Sequence, residues 1–461
     1  MSKQYKKEND ILAESILQNN FFNVWSGGID NANFSKIEIE LTTTCNLGCK
    51  YCYIHRYGDS LYPKSIRDRQ TILKNLKILL NWLTENNLTP HLDFFSGDPL
   101  SQEIGFEALE IIMDHYRGLP KKARPGGISI PTNYTFLLDK DLKQRVEFLL
   151  RGFEELGIYV GLSASIDGKY LEHDNRPLLL VKGRKEVMEE SSLPAMTASE
   201  RKEVRDDEYY DEVFSFTNKA GGGLHPMIYS KGIEKWKDNF LWFQDMMKKH
   251  EIPWYKLYLL EVRNEEWSEE QMAELHNFSR FLVNWSFDRC DRNPEDFLYF
   301  LFKKSGFNML ASPFNIIGRG LGCSFQSMVY VRMGDLSLIP CHRTSYDGFE
   351  YAKFKVMNDK IIGIESKNVE FLTTGLAFNA IAQPMCESCL IKHSCSHGCL
   401  GSQYEATGDM FSPILTVCKM EHAKIIGIVK GLIDCGIFNR ILSLMPIEKR
   451  YGLEKLASYY N

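Results

Sequence analysis

Three cysteines, Cys45, Cys49 and Cys52, follow directly on the stretch Ile37-Glu38-Ile39-Glu40-Leu41. That stretch alternates apolar and acidic residues with the period of a β-strand. The cysteines are spaced C-x3-C-x2-C within Thr44-Cys45-Asn46-Leu47-Gly48-Cys49-Lys50-Tyr51-Cys52. A strand that runs straight into a thiol-rich loop must present that loop at the rim of a sheet. Three thiolates at this spacing can hold three irons of a cubane [4Fe–4S] cluster and leave the fourth iron open. The C-x2-C part alone also fits zinc sites and redox dithiols, and buried structural cysteines are the plain alternative.

The pattern continues as strands alternating with helices. Residues 68–86 carry helical spacing in Ile72, Leu73, Leu76, Leu79, Leu80, Trp82 and Leu83. His91-Leu92-Asp93-Phe94-Phe95 reads as a second strand, and a helix is expected at about 103–116. Further strands are expected near 127–132, 158–165, 224–229 and 255–262, with helical segments between most of them. This order implies parallel βαβ units and an α/β class, with functional loops at the C-terminal ends of the strands.

The cysteine motif, with the aromatic Tyr51 just before its last cysteine, resembles the signature of radical S-adenosylmethionine (SAM) enzymes. The resemblance implies a partial (β/α)6 TIM-like barrel. It implies that the open iron binds the amino and carboxylate groups of SAM. An electron from the cluster then cleaves SAM to methionine and a 5′-deoxyadenosyl radical, which abstracts hydrogen from a substrate. Ser96-Gly97-Asp98-Pro99 resembles the family's Gly-Gly-Glu-Pro segment, which contacts the SAM ammonium; Ser96 replaces a glycine and Asp98 the glutamate. Without the cysteines this tetrapeptide would be an ordinary β-turn. Pro131-Thr132-Asn133 and Ser163-Ala164-Ser165-Ile166-Asp167-Gly168 resemble segments near the SAM ribose and carboxylate. The implied SAM contacts are Tyr51, Gly97, Asp98, Asn133 and Ser165. Arg263, ending the sixth strand, fits a contact to SAM or substrate, or a surface salt bridge.

A second cysteine field, Cys386-x2-Cys389-x5-Cys395-x3-Cys399, is followed by Cys418 and preceded by Cys323 and Cys341. Zinc ribbons share such pairs. The order of all seven resembles the SPASM extension of radical SAM enzymes. By that resemblance Cys386, Cys389, Cys395 and Cys418 ligate an outer auxiliary [4Fe–4S] cluster, and Cys323, Cys341 and Cys399 an inner one, giving three clusters in all. The inner set is one cysteine short, so an open or non-cysteine corner is expected there. Cys290 and Cys435 fit no pattern and read as structural. His342 reads as a neighbour of the cluster ligands, and His393 and His397 as bystanders.

The expected organisation is an N-terminal extension (1–35), a radical SAM barrel (36–290), a helical linker (291–322), a SPASM domain (323–425) and a helical tail (426–461). Within the barrel, about 175–212 is crowded with mixed charge and reads as a solvated helix, a mobile loop or a lid. The net charge of −5 gives no basic field for nucleic acid. The start lacks the apolar core of a signal peptide, and no apolar run reaches membrane-spanning length. A cytoplasmic location without membrane contact is expected, and twelve cysteines in a reducing compartment favour metal sites over disulfides.

The resemblance implies a peptide or protein substrate and an electron donor such as flavodoxin or ferredoxin. The leading expectation is a maturase of ribosomally made peptides that forms a thioether or carbon–carbon crosslink. The alternatives are a sulfatase-maturing, formylglycine-forming enzyme, a peptide epimerase, or a non-catalytic iron–sulfur or zinc module. In sulfatase-maturing relatives an aspartate follows the second cysteine of the field, where this chain has His342. Only 44 residues precede Cys45, too few for the winged-helix leader-binding domain of many maturases. Leader recognition is therefore expected to use the SPASM surface, the charged segment or a separate protein, or to be absent.

Overall fold

The structure is a computed structural model that describes residues 36–56, 68–179, 205–304, 307–315, 329–368 and 380–459. The expected extension 1–35, the centre of the charged segment and Cys323 lie outside the described residues. In chain order the main elements are β1 (Lys36–Glu40), α1 (Arg69–Glu85), β2 (His91–Phe94), α2 (Glu103–Arg117), β3 (Gly127–Thr132), α3 (Lys140–Glu155) and β4 (Tyr159–Ala164). Next come α4 (Asp207–Lys219), β5 (Met227–Ile228), α5 (Trp236–Lys249), β6 (Leu260–Glu261) and α6 (Glu269–Arg289). The last are β7 (Tyr330–Arg332), β8 (Ser337–Ile339), β9 (Ala352–Met357), β10 (Lys360–Ser366) and α7 (Leu415–Asp434).

Helix starts follow local chemistry. The Asp68 carboxylate accepts from the Thr71 amide at 2.8 Å, and Asp139 accepts from Asp141 and Leu142 at 2.9 and 3.1 Å. Asp206 caps α4 through Tyr209, and Ser268 with Gln271 forms a capping box on α6. Each cap satisfies amides that have no partner inside the helix.

The chain divides into two compact units. The first holds the described residues of Met1–Ser165, Arg176–Gly222 and Ser324–Ala377. Its eight-stranded sheet has the order β10-β9-β8-β7-β1-β2-β3-β4. Strands β7, β1, β2, β3 and β4 run parallel, and β8 to β10 return antiparallel. One face buries Ile37, Ile39, Leu92, Phe94, Ile128, Ile130 and Leu162. The register Glu38↔Asp93↔Ser129 and Glu38↔Tyr330 puts polar side chains on the other face. A near-continuous apolar run is usual for a strand buried on both faces, so the acidic alternation of β1 marks a sheet with one working side.

The second unit holds the described residues of Ile166–Asn175, Gly223–Cys323 and Phe378–Asn461. Here β5 and β6 form a two-stranded parallel sheet of their own, extended by the bridge Leu224↔Leu257. The fifth and sixth strands are therefore shorter than expected. Pro226 and Pro253 flank these ladders, and proline has no amide to donate. The unit is built around the packing of α6 on α7. Among the described residues no helix is long and apolar enough to cross a membrane.

Candidate iron–sulfur and AdoMet site

In the first unit the cysteine loop leaves the C-terminal end of β1 and is held from three sides. From β2, the Asp98 amide donates to the Thr44 carbonyl at 3.0 Å, and the Gln102 side chain donates to the same oxygen. Gly97 has φ +63°, and a Cβ built on it would lie 2.3 Å from the Thr44 carbonyl and 2.8 Å from that of Thr42. Only glycine accepts both that conformation and that approach. From β3, the Asn133 amide group donates to Asn46 Oδ1 at 2.8 Å and lies 3.6 Å from Cys45 Sγ. Asn46 in turn donates to Thr135 Oγ1 at 2.8 Å. From the third side, Gly48 donates to the Pro177 carbonyl at 2.8 Å, and Leu179 donates to the Asn46 carbonyl at 3.0 Å. Arg176 lies over the Tyr51 ring at 5.4 Å.

The three thiols sit close enough to disturb one another. Burial pushes Cys45 well above the usual thiol range, and Asp98, Cys49 and Cys52 push it further. Burial also raises Cys52, against the pull of the His55 and Ile54 amides and of Arg176 and Arg343. Burial thus opposes free thiolates at Cys45 and Cys52, and a bound cation would favour them. The donor set thus fits a cluster held by three thiolates.

The expected SAM contacts gather around this loop in different ways. The Asp98 carboxylate accepts from the Asn133 amide at 2.7 Å, the Leu100 amide at 3.0 Å and the Thr132 hydroxyl at 3.1 Å. Asp98 is 2 % exposed, and burial raises it to about 6 against these donors. Its carboxylate is therefore engaged inside the protein. Ser96 adopts φ +82° and its buried hydroxyl has no partner among the described residues. Ser165 is half-buried, with its amide on the Thr132 carbonyl at 2.8 Å. On the polar face of the sheet, His342 donates or accepts through Nδ1 at 3.1 Å from the buried Glu38 and stacks on Phe95 at 3.7 Å.

In the second unit, Cys386, Cys389, Cys395 and Cys418 line one cavity of about 770 Å3. Cys386 and Cys389 are joined by a tight turn with a 3.0 Å backbone hydrogen bond, and Cys418 lies in the first turn of α7. Burial raises Cys418 to about 11, with Cys386 and Cys389 adding to it. His422, one turn beyond Cys418, places Nε2 3.3 Å from Cys389 Sγ. Among the described residues no three such donors converge on a single-ion position. No described cysteine forms a disulfide.

Of the expected inner set, Cys341 belongs to the first unit, Cys399 belongs to the second, and Cys323 lies outside the described residues. Arg263 is not in a surface salt bridge. Its side chain is 19 % exposed and pairs with Glu261 and Glu421, which are almost fully buried.

The structure matches a solved structure described as native anSMEcpe with bound AdoMet. The match covers 89% of this chain and 98% of that one, at 16% identity and a TM-score of 0.54. This chain has the fold of anSMEcpe. A second anSMEcpe structure, with AdoMet and the Kp18Cys peptide, matches over 89% and 98% at a TM-score of 0.52 and the same 16% identity. Streptococcus suis SuiB bound to its precursor peptide SuiA aligns over 90% of this chain and 82% of that one, with 11% identity and a TM-score of 0.47. No family model and no curated protein matches the chain.

On the anSMEcpe fold, sequence reasoning missed Asn46, His422 and the partners of Arg263. Asn46 lies inside the cysteine motif, and its position between two thiols was the available signal. His422 stands four residues after Cys418, a helical spacing that places both on one face.

Proposed function

We propose that this chain is a radical SAM enzyme of the SPASM type that modifies a ribosomally made peptide, forming a thioether or carbon–carbon crosslink. One observation carries the reading. Cys45, Cys49 and Cys52 share a loop at the C-terminal end of a parallel strand, in a fold shared with AdoMet-bound anSMEcpe. In this reading the parallel strands belong to a partial (β/α)6 barrel, and the C-terminal cysteines to a SPASM domain with two auxiliary clusters. When bound, the first cluster supplies the electron that cleaves SAM.

The chain's own residues prepare that site. Gly97 lets the backbone of its turn meet the cysteine loop, and Asn133 braces Asn46 beside Cys45. Asp98 fixes the Asn133 backbone, and Arg176 holds Tyr51 by a cation–π contact. The bound Kp18Cys peptide of anSMEcpe supports a peptidic substrate here. An electron donor of the flavodoxin or ferredoxin kind completes the cycle, and leader recognition, where there is a leader, falls to the C-terminal surface, the charged segment or a separate protein.

The test is anaerobic reconstitution with iron, sulfide, SAM and a low-potential reductant. 5′-Deoxyadenosine is expected from the wild-type chain. Replacing Cys45, Cys49 and Cys52 together by Ala abolishes it while the C-terminal iron remains. A well-folded, iron-loaded wild type that yields no 5′-deoxyadenosine sinks the reading.

The fold neighbour favours a second reading. anSME is an anaerobic sulfatase-maturing enzyme, and formylglycine formation needs the same radical start. The two differ in product: a crosslinked peptide keeps its heteroatoms, whereas formylglycine carries a new aldehyde that reacts with hydrazides.

A further inference from the structure

Four charged side chains are packed together beside the Cys395–Cys399 loop. Lys424 is fully buried and pairs with Glu261 at 2.8 Å and with Glu421 at 3.0 Å. Arg263 closes the ring, 3.4 Å from Glu421 and 3.6 Å from Glu261. The ring is neutral, with two cations and two carboxylates. It is tied to the loop at defined atoms. The Arg263 guanidinium donates to Ser396 Oγ and lies 3.5 Å from the Gly398 carbonyl. Ser396 Oγ donates to Glu421 at 2.9 Å. Ser396 and Gly398 both lie between Cys395 and Cys399 in the chain.

Stability alone does not account for this arrangement. Buried ion pairs seldom stabilise a protein more than well-packed apolar residues of the same volume. A ring of fixed charges offers something apolar packing lacks: a set field at a nearby sulfur. Arg263 is held as a cation against its burial by Glu421 and Glu261. Iron–sulfur potentials are set by net charge, hydrogen bonds to the sulfurs and exposure.

We propose that Arg263 is a positioning residue that sets the reduction potential of the C-terminal iron–sulfur site, holding the Cys395–Cys399 loop and supplying a fixed positive charge next to it. The inference rests on the reading that this cysteine field binds iron–sulfur clusters. Reduction adds one electron, drawn from the reductant, and hence one negative charge to the site. A retained cation favours that step and a retained carboxylate opposes it. The two arms of the ring should therefore move the potential in opposite directions.

The test uses the full chain with Cys45, Cys49 and Cys52 replaced by Ala, so that only C-terminal iron is observed. Iron content is measured first, followed by a dithionite titration with mediator dyes monitored by electron paramagnetic resonance. Arg263→Gln should lower the reduced-to-oxidised ratio at fixed potential by about tenfold, or ~59 mV for a one-electron couple. That is the order expected for removing a unit charge at an effective dielectric near 20. Glu421→Gln should raise the ratio by a similar factor, and the double variant should return towards the parent. Arg263→Lys should keep the parent potential. The inference fails if both single variants move the potential the same way or not at all. It also fails if the Lys and Gln variants lose iron equally, since the role is then structural. A parent chain with no C-terminal iron instead removes the underlying reading.

Discussion

The Thr44 carbonyl occupies the place where Gly97 would carry a side chain, 2.3 Å from an ideal Cβ. The loop that bears Cys45 and the turn that bears Asp98 are thus in backbone contact. Gly97→Ala must move one of them and also hold φ +63° with a Cβ. The expected loss is about 2–4 kcal/mol of stability, combining left-handed strain with the clash. Urea denaturation checks the loss. Iron analysis should show depletion at the N-terminal cysteines and retention at the C-terminal ones.

Asp98 makes the stability of the iron-free protein depend on pH. Burial raises its folded value from 3.8 to about 6. The folded state therefore binds the proton more tightly than the unfolded state. Stability contributed by that proton is present below about pH 4 and is lost as pH rises to about 6. The span is worth up to about 3 kcal/mol at ~1.4 kcal/mol per unit. Asp98→Asn should remove this slope, at a pH-independent cost of about 1–3 kcal/mol for the acceptor it loses. Denaturation midpoints of both proteins from pH 4 to 7 give the comparison. Parallel curves would refute the assignment.

Gly427 sets propensity against packing. In a helix, Gly→Ala normally gains about 1 kcal/mol. Here the new methyl would meet the His276 carbonyl at 2.3 Å and Ser279 Cβ at 2.9 Å, across the α6–α7 contact. A backbone carbonyl cannot rotate away, so packing wins. A net loss of about 1–3 kcal/mol is expected for Gly427→Ala. Gly431, 2.7 Å from Val283 Cβ by the same construction, lies one turn along the same seam. Adding Gly431→Ala should cost less than the sum of the two single changes, because the first already separates the helices. Thermal unfolding by circular dichroism measures all three variants.

The parts legible in the sequence were those written in short-range pattern. Strands β1 to β4 and their helices appear near the expected positions, because period-two runs and helical apolar spacing are written over a few neighbouring residues. The reading of 224–229 and 255–262 overestimated two strands whose ladders shrink to two residues each. Strands β7 and β8 were not read at all. Tyr330–Arg332 and Ser337–Ile339 are too short to show a period, and β7 joins the parallel strands through β1, about 290 residues earlier in the chain. The cysteines were legible by spacing, whereas what surrounds them was not. The three donors on Asp98 and the Arg263–Glu421 pairing join distant segments, and no local pattern records such contacts.

The alternation of β1 also limits how this chain can change. Lys36, Glu38 and Glu40 share one face of the strand, and Ile37 and Ile39 share the other. Deleting a single codon within this strand would exchange the two faces, forcing carboxylates among Phe94 and Leu92 and isoleucines towards His342. It would also start the cysteine loop one pleat early, turning Cys45 by half a rotation relative to Asn133. A point substitution in β1 disturbs one position, whereas a length change shifts every residue that follows it, so the distance in residues from Lys36 to Cys45 is itself part of the site.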